Sequence, residues 1–352
     1  MNQKKKPLSK LNLSITPSPL VKMKGLAQFL NVPHIYIKRD DLLGKILGGN
    51  KLRKLEYILP AAIEDNADTL ITTGSFESNH AALTSVAAKI LGLQAVIVLM
   101  GPKNQKYTPL NMTIQERLGA EIRKVFFTEG NNKSRETLSD RVSEQVEKLT
   151  NDLKSRGRKP FFVPAAGCCL EGTYAFVEAF KELDNQMQQA GCYGYDIILA
   201  LGTGSTFAGL WCGARLADAD VKICGISIAR KKPRCIQETI TAAQRVCDLL
   251  KIAVPRENEL NITDQYIGDG YAKPTAWSER AIKIALETEG LLLDHTYTGK
   301  ALGGMLELIE KKQLGSRPLV FWHTGGVSGA VDAFEHSQQN QNKSFINRKS
   351  YD

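Results

Sequence analysis

Eight short apolar runs set the fold class of this chain. They are IYIK (35–38), TLITTG (69–74), AVIVLM (95–100), IRKVF (122–126), FFVP (161–164), DIILAL (196–201), KICGISI (222–228) and LVFWH (319–323). Runs that are nearly continuous in apolar residues fit strands covered on both faces, the habit of parallel sheets. Helix-compatible stretches separate them, so βαβ units and an α/β fold are expected, with helices on both faces of open, twisted, mainly parallel sheets. The number of strands suggests two sheets rather than one very wide one. In such folds ligands bind beyond the carboxyl ends of strands, where loops meet helix N-termini.

Composition narrows the function. The chain has 352 residues, 43% apolar and 24% charged, enough for one large or two medium domains. No apolar run approaches the roughly 18 residues of a membrane helix, so no membrane partner is expected. The basic N-terminal stretch is interrupted by prolines and polar residues and does not read as a secretory signal. Seven cysteines without a CxxC spacing read as reduced thiols, and a cytoplasmic location is expected. Five histidines, none at ligand spacing, predict no metal. The net charge of +9 is scattered apart from KKK (4–6) and RKK (230–232), with no reading-head motif. No nucleic-acid partner is expected, and an anionic small molecule is the better fit. Segment 133–156 reads as a solvated amphipathic helix, and 341–352 as a tail.

The strand ends carry the candidate chemistry. After DIILAL come Gly202, Thr203, Gly204, Ser205 and Thr206, then a helix-compatible stretch. Glycines admit an anion close to the backbone, and free helix-start amides point at it, so this is a candidate phosphate cup or simply a tight strand–helix corner. Phe207 stands where the dinucleotide fingerprint needs a third glycine. Ser78, Asn79 and His80 open a second helix, as an ordinary N-cap or as a cup for a carboxylate. Tyr271 lies in the turn-rich GDGYAKPT. Tyr297, Thr298 and Thr324 follow apolar runs and read equally as core or cap residues. GGNKLRKLEY (48–57) delivers Lys51 to the start of a helix, with Arg53 and Lys54 close by. A desolvated lysine among other cations has a lowered pKa and suits a Schiff-base role. A phosphate cup with a reachable lysine is what pyridoxal phosphate requires.

In order and spacing, IYIKRDDL, GGNKLRKLEY, SNH, GTGSTFAGL, YTGKA and HTGG resemble the pyridoxal-phosphate enzymes of the 1-aminocyclopropane-1-carboxylate deaminase and D-cysteine desulfhydrase family. The resemblance implies the two-domain tryptophan synthase β-like fold (fold type II). It implies a larger domain of 1–52 and 165–340, a smaller one of 53–164, and a homodimer. Lys51 would hold the cofactor and shuttle the substrate α-proton, and Asn79 would bond the cofactor 3'-oxygen. Ser78 and the following amides, with His80, would grip the carboxylate of a small amino-acid substrate. Gly202 to Thr206 would cradle the phosphate, Thr298 and Thr324 would contact the cofactor, Tyr297 would stack on or near its ring, and Tyr271 would line the reaction face.

Threonine in YTGK and HTGG, rather than the Glu of YEGK, resembles the desulfhydrases. A neutral hydroxyl beside the pyridine nitrogen leaves a weaker electron sink, which suits loss of a thiolate better than ring opening. D-cysteine conversion to pyruvate, ammonia and hydrogen sulfide is therefore expected. Cyclopropane-acid deamination, D-serine-type dehydration and a non-catalytic cofactor-binding protein are the alternatives. Glu77 before SNH, Ala81-Ala82-Leu83 after it, and the loop PAAGCCLEG (164–172) depart from the family pattern beside the expected substrate pocket.

Overall fold

The structure, a computed structural model, describes residues 8–45, 47–105, 107–127 and 134–335, without the side chains of 134–139. The expected tail at 341–352 lies outside these residues, as does KKK (4–6). Strand β1 (Leu20–Lys22), helix α1 (Lys24–Leu30) and β2 (Ile35–Arg39) lead into α2 (Asn50–Glu64). Four strands follow, β3 (Thr69–Ser75), β4 (Gln94–Pro102), β5 (Glu121–Phe127) and β6 (Pro160–Phe162). They alternate with α3 (Asn79–Ile90), α4 (Leu110–Arg117) and α5 (Ser134–Ser155). The chain then runs α6 (Leu170–Gln189), β7 (Gly194–Leu201), α7 (Ser205–Leu216), β8 (Asp220–Ser227), α8 (Lys232–Leu250) and β9 (Asn261–Thr263). It closes with α9 (Ala276–Glu289), α10 (Thr298–Glu310) and β10 (Leu319–His323).

The strands form two sheets, in the orders β1-β2-β10-β7-β8-β9 and β5-β4-β3-β6. Every pairing between these strands is parallel except that of β1 with β2. The alternation of side chains along β10 explains its unbroken apolar run. Leu319 and Phe321 pack with Leu26, Ile284 and Met305 of α1, α9 and α10. Val320 and Trp322 pack on the other face with Phe176, Phe180, Leu210 and Ile236 of α6, α7 and α8. In the smaller sheet Ile97 and Leu99 meet α2 and α3, while Val96 and Val98 meet Val142, Leu149 and Leu153 of α5.

Each of the eight apolar runs falls on a strand, with Val163, Pro164 and Ile228 just past the ends of β6 and β8, and the three-residue edge strands β1 and β9 are additions. Edge strands that short carry too few residues for a period-2 pattern. The strands of the larger sheet fall within 20–39 and 194–323, and those of the smaller within 69–162. The expected division at 52/53 falls inside α2, which is continuous there. Leu11 and Leu13 also pack against the smaller sheet's core, so the first segment serves that side.

One buried ionic cluster joins α2 to the larger sheet. Arg53 donates to both oxygens of Asp40 (3.0 and 2.9 Å) and both of Glu182 (3.0 and 2.8 Å). Lys38 donates to the same Glu182, and Trp322 Nε1 donates to Asp40 Oδ2 at 2.8 Å. Burial alone would raise the Glu182 pKa, but Arg53 and Lys38 outweigh it and hold it at about 2. A depressed carboxylate stabilises the fold above its unfolded pKa and loses that contribution as pH falls through the folded value. The cluster therefore weakens between pH ~4.5 and pH ~2. Glu182→Gln should lower stability at neutral pH by on the order of 2 kcal/mol and flatten this acid limb, as read from urea midpoints across pH. An acid limb unchanged in the variant would assign it elsewhere.

Candidate active site

Helix α2 begins on glycine because nothing larger fits. Gly49 (φ 142°) and Gly325 (φ 112°) form an isolated antiparallel bridge. A Cβ on Gly325 would stand 2.9 Å from the Gly49 Cα, and one on Gly49 would stand 3.0 Å from the Thr324 carbonyl oxygen. Asn50 N–H donates to that Thr324 carbonyl (2.9 Å), and its side chain donates to Thr206 (3.2 Å). The next residue, Lys51, is thus set between β10 and α7. Lys51 makes no hydrogen bond to a described residue. Burial first, then the Lys54 ammonium, hold its amine well below the usual lysine pKa.

Lys54 lies three residues on, on the same helix face. It is fully buried and donates to the Ser205 hydroxyl and to Ala166 O (3.4 Å), with its ammonium 5.8 Å from the Phe176 ring centre. Burial lowers its pKa to about 8. Gly167 presses on its stem, so the GCCLEG loop flanks Lys54. Ser205 is the first residue of α7, and the preceding loop is the expected cup. Gly204 is left-handed (φ 78°), and a Cβ there would strike Thr239 Oγ1 at 2.6 Å. Gly204 is therefore needed for packing against α8. Gly202 meets nothing within 4 Å, which leaves space on the side a ligand would occupy, and Arg230 holds its carbonyl at 2.6 Å.

The facing wall comes from α3 and the loops before α9 and α10. Ser78 is the N-cap of α3 and accepts from Ala81 N–H at 3.2 Å. Asn79 follows it. The Tyr271 and Tyr297 hydroxyls lie 2.7 Å apart, and Ser75 Oγ is 3.2 Å from Tyr271. Burial raises both phenol pKa values, so both stay protonated. Lys300, buried, donates to Ile228 O, Ile267 O and Gly270 O and so pins the loop that carries Tyr271. The carbonyl side of the wall is anchored by Asn111, whose amide reaches Glu77 O and Asn79.

Two residues expected to contact a ligand have partners within the protein. The Thr298 hydroxyl donates to Asp294 Oδ2 (2.7 Å) and accepts from Asp294 N–H (3.0 Å), fully buried. It caps α10 with Asp294, whose carboxylate also takes the N–H groups of Thr296 and Tyr297. His80 points inward. Thr72 donates to Val163 O (2.8 Å), so its oxygen accepts from His80 Nε2 (3.0 Å). Burial, with Lys51 and Lys54 adding to it, lowers the His80 pKa to about 3, so the ring is neutral. Thr324, by contrast, has a side chain with no hydrogen bond to a described residue. Lys54, Asp294, Asn111 and Lys300 were not singled out by motif. For Lys54 the signal was its i+3 spacing from Lys51; for Asn111 and Lys300 the partners lie far off in sequence, while Asp294 bonds residues just after it.

Residues 11–325 match the family described as pyridoxal-phosphate dependent enzyme. The chain belongs to that family. A "Putative 1-aminocyclopropane-1-carboxylate deaminase" of Pyrococcus abyssi is 35% identical over 312 residues, 89% of this chain and 90% of the relative. A "D-cysteine desulfhydrase" of Salmonella newport is 31% identical over 323 residues, covering 90% and 94%. A crystal structure of an "ACC deaminase homologue" superposes with a TM-score of 0.81 at 32% identity, covering 92% of this chain and 93% of that one. A pyridoxal 5'-phosphate-dependent aspartate racemase shares the fold alone, with a TM-score of 0.61 at 17% identity. The fold is therefore type II, and the protein is a pyridoxal-phosphate enzyme.

The residues present fit that cofactor. A desolvated, unpartnered lysine amine suits its aldehyde carbon, and a helix start with a hydroxyl and a buried ammonium suits its phosphate. Lys54 with a pKa of about 8 is cationic below that pH and neutral above it. Binding of a phosphate ester without the aldehyde, such as pyridoxine phosphate, should weaken as pH rises through ~8. Lys54→Gln should weaken it about tenfold at pH 7 and remove the pH step, as measured by calorimetric titration of apo protein. An unchanged pH step in the variant would exclude Lys54 as the anchor.

Proposed function

We propose a lyase that takes D-cysteine and water to pyruvate, ammonia and hydrogen sulfide. The observation that carries this reading is the pairing of a neutral-leaning Lys51 amine with the Lys54–Ser205 cup on one helix face. When bound, pyridoxal phosphate supplies an electrophilic carbonyl carbon and an electron-withdrawing ring. The protein's part is positioning and proton movement. Lys51 Nζ would hold the cofactor carbon and, as a free amine, would take the substrate α-proton, for which its lowered pKa suits it. Ser78 and the first amides of α3 receive the substrate carboxylate at a helix N-terminus. The Tyr271–Tyr297 hydroxyl pair, 2.7 Å apart, would offer a phenolic proton to the departing sulfur.

Neutral Thr324, with its uncommitted hydroxyl, is the candidate contact for the pyridine nitrogen. Thr298 stands where the ring-opening relatives have a glutamate, and its hydroxyl donates to Asp294. A weaker electron sink favours elimination of a good leaving group. Cyclopropane-acid deamination is the second reading, favoured by the name of the 35%-identical relative. A cytoplasmic homodimer rests on family resemblance. Among the described residues no helix is long and apolar enough to cross a membrane.

Purified protein should be yellow, and Lys51→Ala should lose both the colour after dialysis and all turnover while its far-ultraviolet circular dichroism stays unchanged. With a panel of D- and L-amino acids, β-chloro-D-alanine and D-cysteine should release keto acid at least tenfold faster than the cyclopropane acid. Turnover of the cyclopropane acid alone would overturn the desulfhydrase reading. A colourless protein that cannot be reconstituted would overturn the cofactor assignment to Lys51.

A further inference from the structure

We infer that Asn111, on α4, is a positioning residue that sets the side-chain amide of Asn79 so that its NH2 group, and not its oxygen, is left for a ligand. Donors and acceptors decide which end of an amide faces which way. The backbone carbonyl of Glu77 can only accept. Asn111 Nδ2 lies 2.9 Å from that oxygen, so the NH2 end of Asn111 is fixed there. The same nitrogen is 2.8 Å from the Asn79 amide, so Asn111 spends its second N–H on Asn79 Oδ1. Asn111 Oδ1 in turn accepts from the Ser328 hydroxyl at 2.7 Å. The single Ser328 proton is taken by Asn111 at that distance, so its 3.4 Å approach to Asn79 Oδ1 adds little.

Both N–H groups and the oxygen of Asn111 are thus used, and Asn111 and Ser328 are both buried. The reverse setting of Asn79 would oppose its NH2 to the NH2 of Asn111 in a buried place, at the cost of the hydrogen bond between them. Asn79 Nδ2 is left without a hydrogen bond to any described residue, and Asn79 is only partly buried. Its donors are therefore presented to whatever binds at the start of α3. Pyridoxal phosphate carries a ring oxygen that is ionised or a strong acceptor, and a fixed donor complements it. The inference rests on the reading of Asn79 as a cofactor contact.

The test uses apo protein and pyridoxal phosphate, with cofactor affinity and the pH midpoint of the visible band as readouts. Asn111→Asp keeps the volume but has no N–H to give. It would draw the Asn79 NH2 inward and turn an oxygen to the cofactor. Asn111→Leu removes the polar head without imposing the reversed orientation. If Asn111 acts through Asn79, Asn111→Asp weakens affinity by more than about tenfold and shifts the pH midpoint, Asn111→Leu does so less, and neither adds to Asn79→Ala in the double variant. A merely structural role gives the opposite order, since the leucine is the poorer mimic, or gives losses that add. Either result overturns the inference, as does wild-type affinity in Asn111→Asp. If Asn111→Leu does not fold, the additivity of Asn111→Asp with Asn79→Ala decides alone. Cofactor binding by the wild type that Asn79→Ala leaves unchanged would overturn the reading of Asn79, and this inference with it, while leaving the Lys51 assignment standing.

Discussion

Asp40 is the point on which the geometry of the site turns. Its carboxylate accepts from Ser18, Arg53 and Trp322, three side chains brought from β1's approach, α2 and β10. Buried charges survive only when their partners are complete, and here Arg53 is shared between Asp40 and Glu182 on α6. With Arg53 tied into the larger sheet, α2 cannot rotate about its axis. Lys51 and Lys54, on a different face of the same turn, are held in one orientation toward α7. The salt bridge that steadies the fold thereby also sets where an amine stands.

The four lysines Lys38, Lys51, Lys54 and Lys300 form a graded series of compensation. Lys38 has a carboxylate, a carbonyl and an amide oxygen. Lys300 has three carbonyls. Lys54 has a hydroxyl, a distant carbonyl and an aromatic face. Lys51 has no hydrogen bond to a described residue. Desolvation acts on all four, and the pKa of each is lowered. What separates a nucleophile from a strut is the number of acceptors left within reach, and the least satisfied lysine is the one at the carboxyl ends of the strands.

Much of this was legible in the chain because its signals are local. Apolar runs such as DIILAL and LVFWH declare strands covered on both faces, and GGNK and GTGST declare close backbone approaches at strand ends. The internal partners of Thr298 and His80 were not legible, for one reason. Whether a hydroxyl or imidazole faces a ligand or the interior depends on a partner, and Asp294 and Thr72 are equally ordinary residues four and eight positions away. Asn111 and Ser328 were invisible because their partners are 32 and 217 residues distant. The Ala81-Ala82-Leu83 departure has a plain account: all three lie in the core, where arginine or glutamine would need partners.

The bridge of Gly49 with Gly325 divides the site into two kinds of surface. On the cofactor side backbone meets backbone with no room for a Cβ, so almost no side-chain change there is neutral. The opposite wall, with Ser75, Glu77 and Tyr271, is made of side chains on loops and a helix start, where exchange alters shape and charge without moving the main chain. A protein so built can drift in what it acts on while keeping its chemistry. Libraries aimed at new substrates would spend most of their members unproductively at 48–51 and 324–326, and find their range at 75–77 and 271–273.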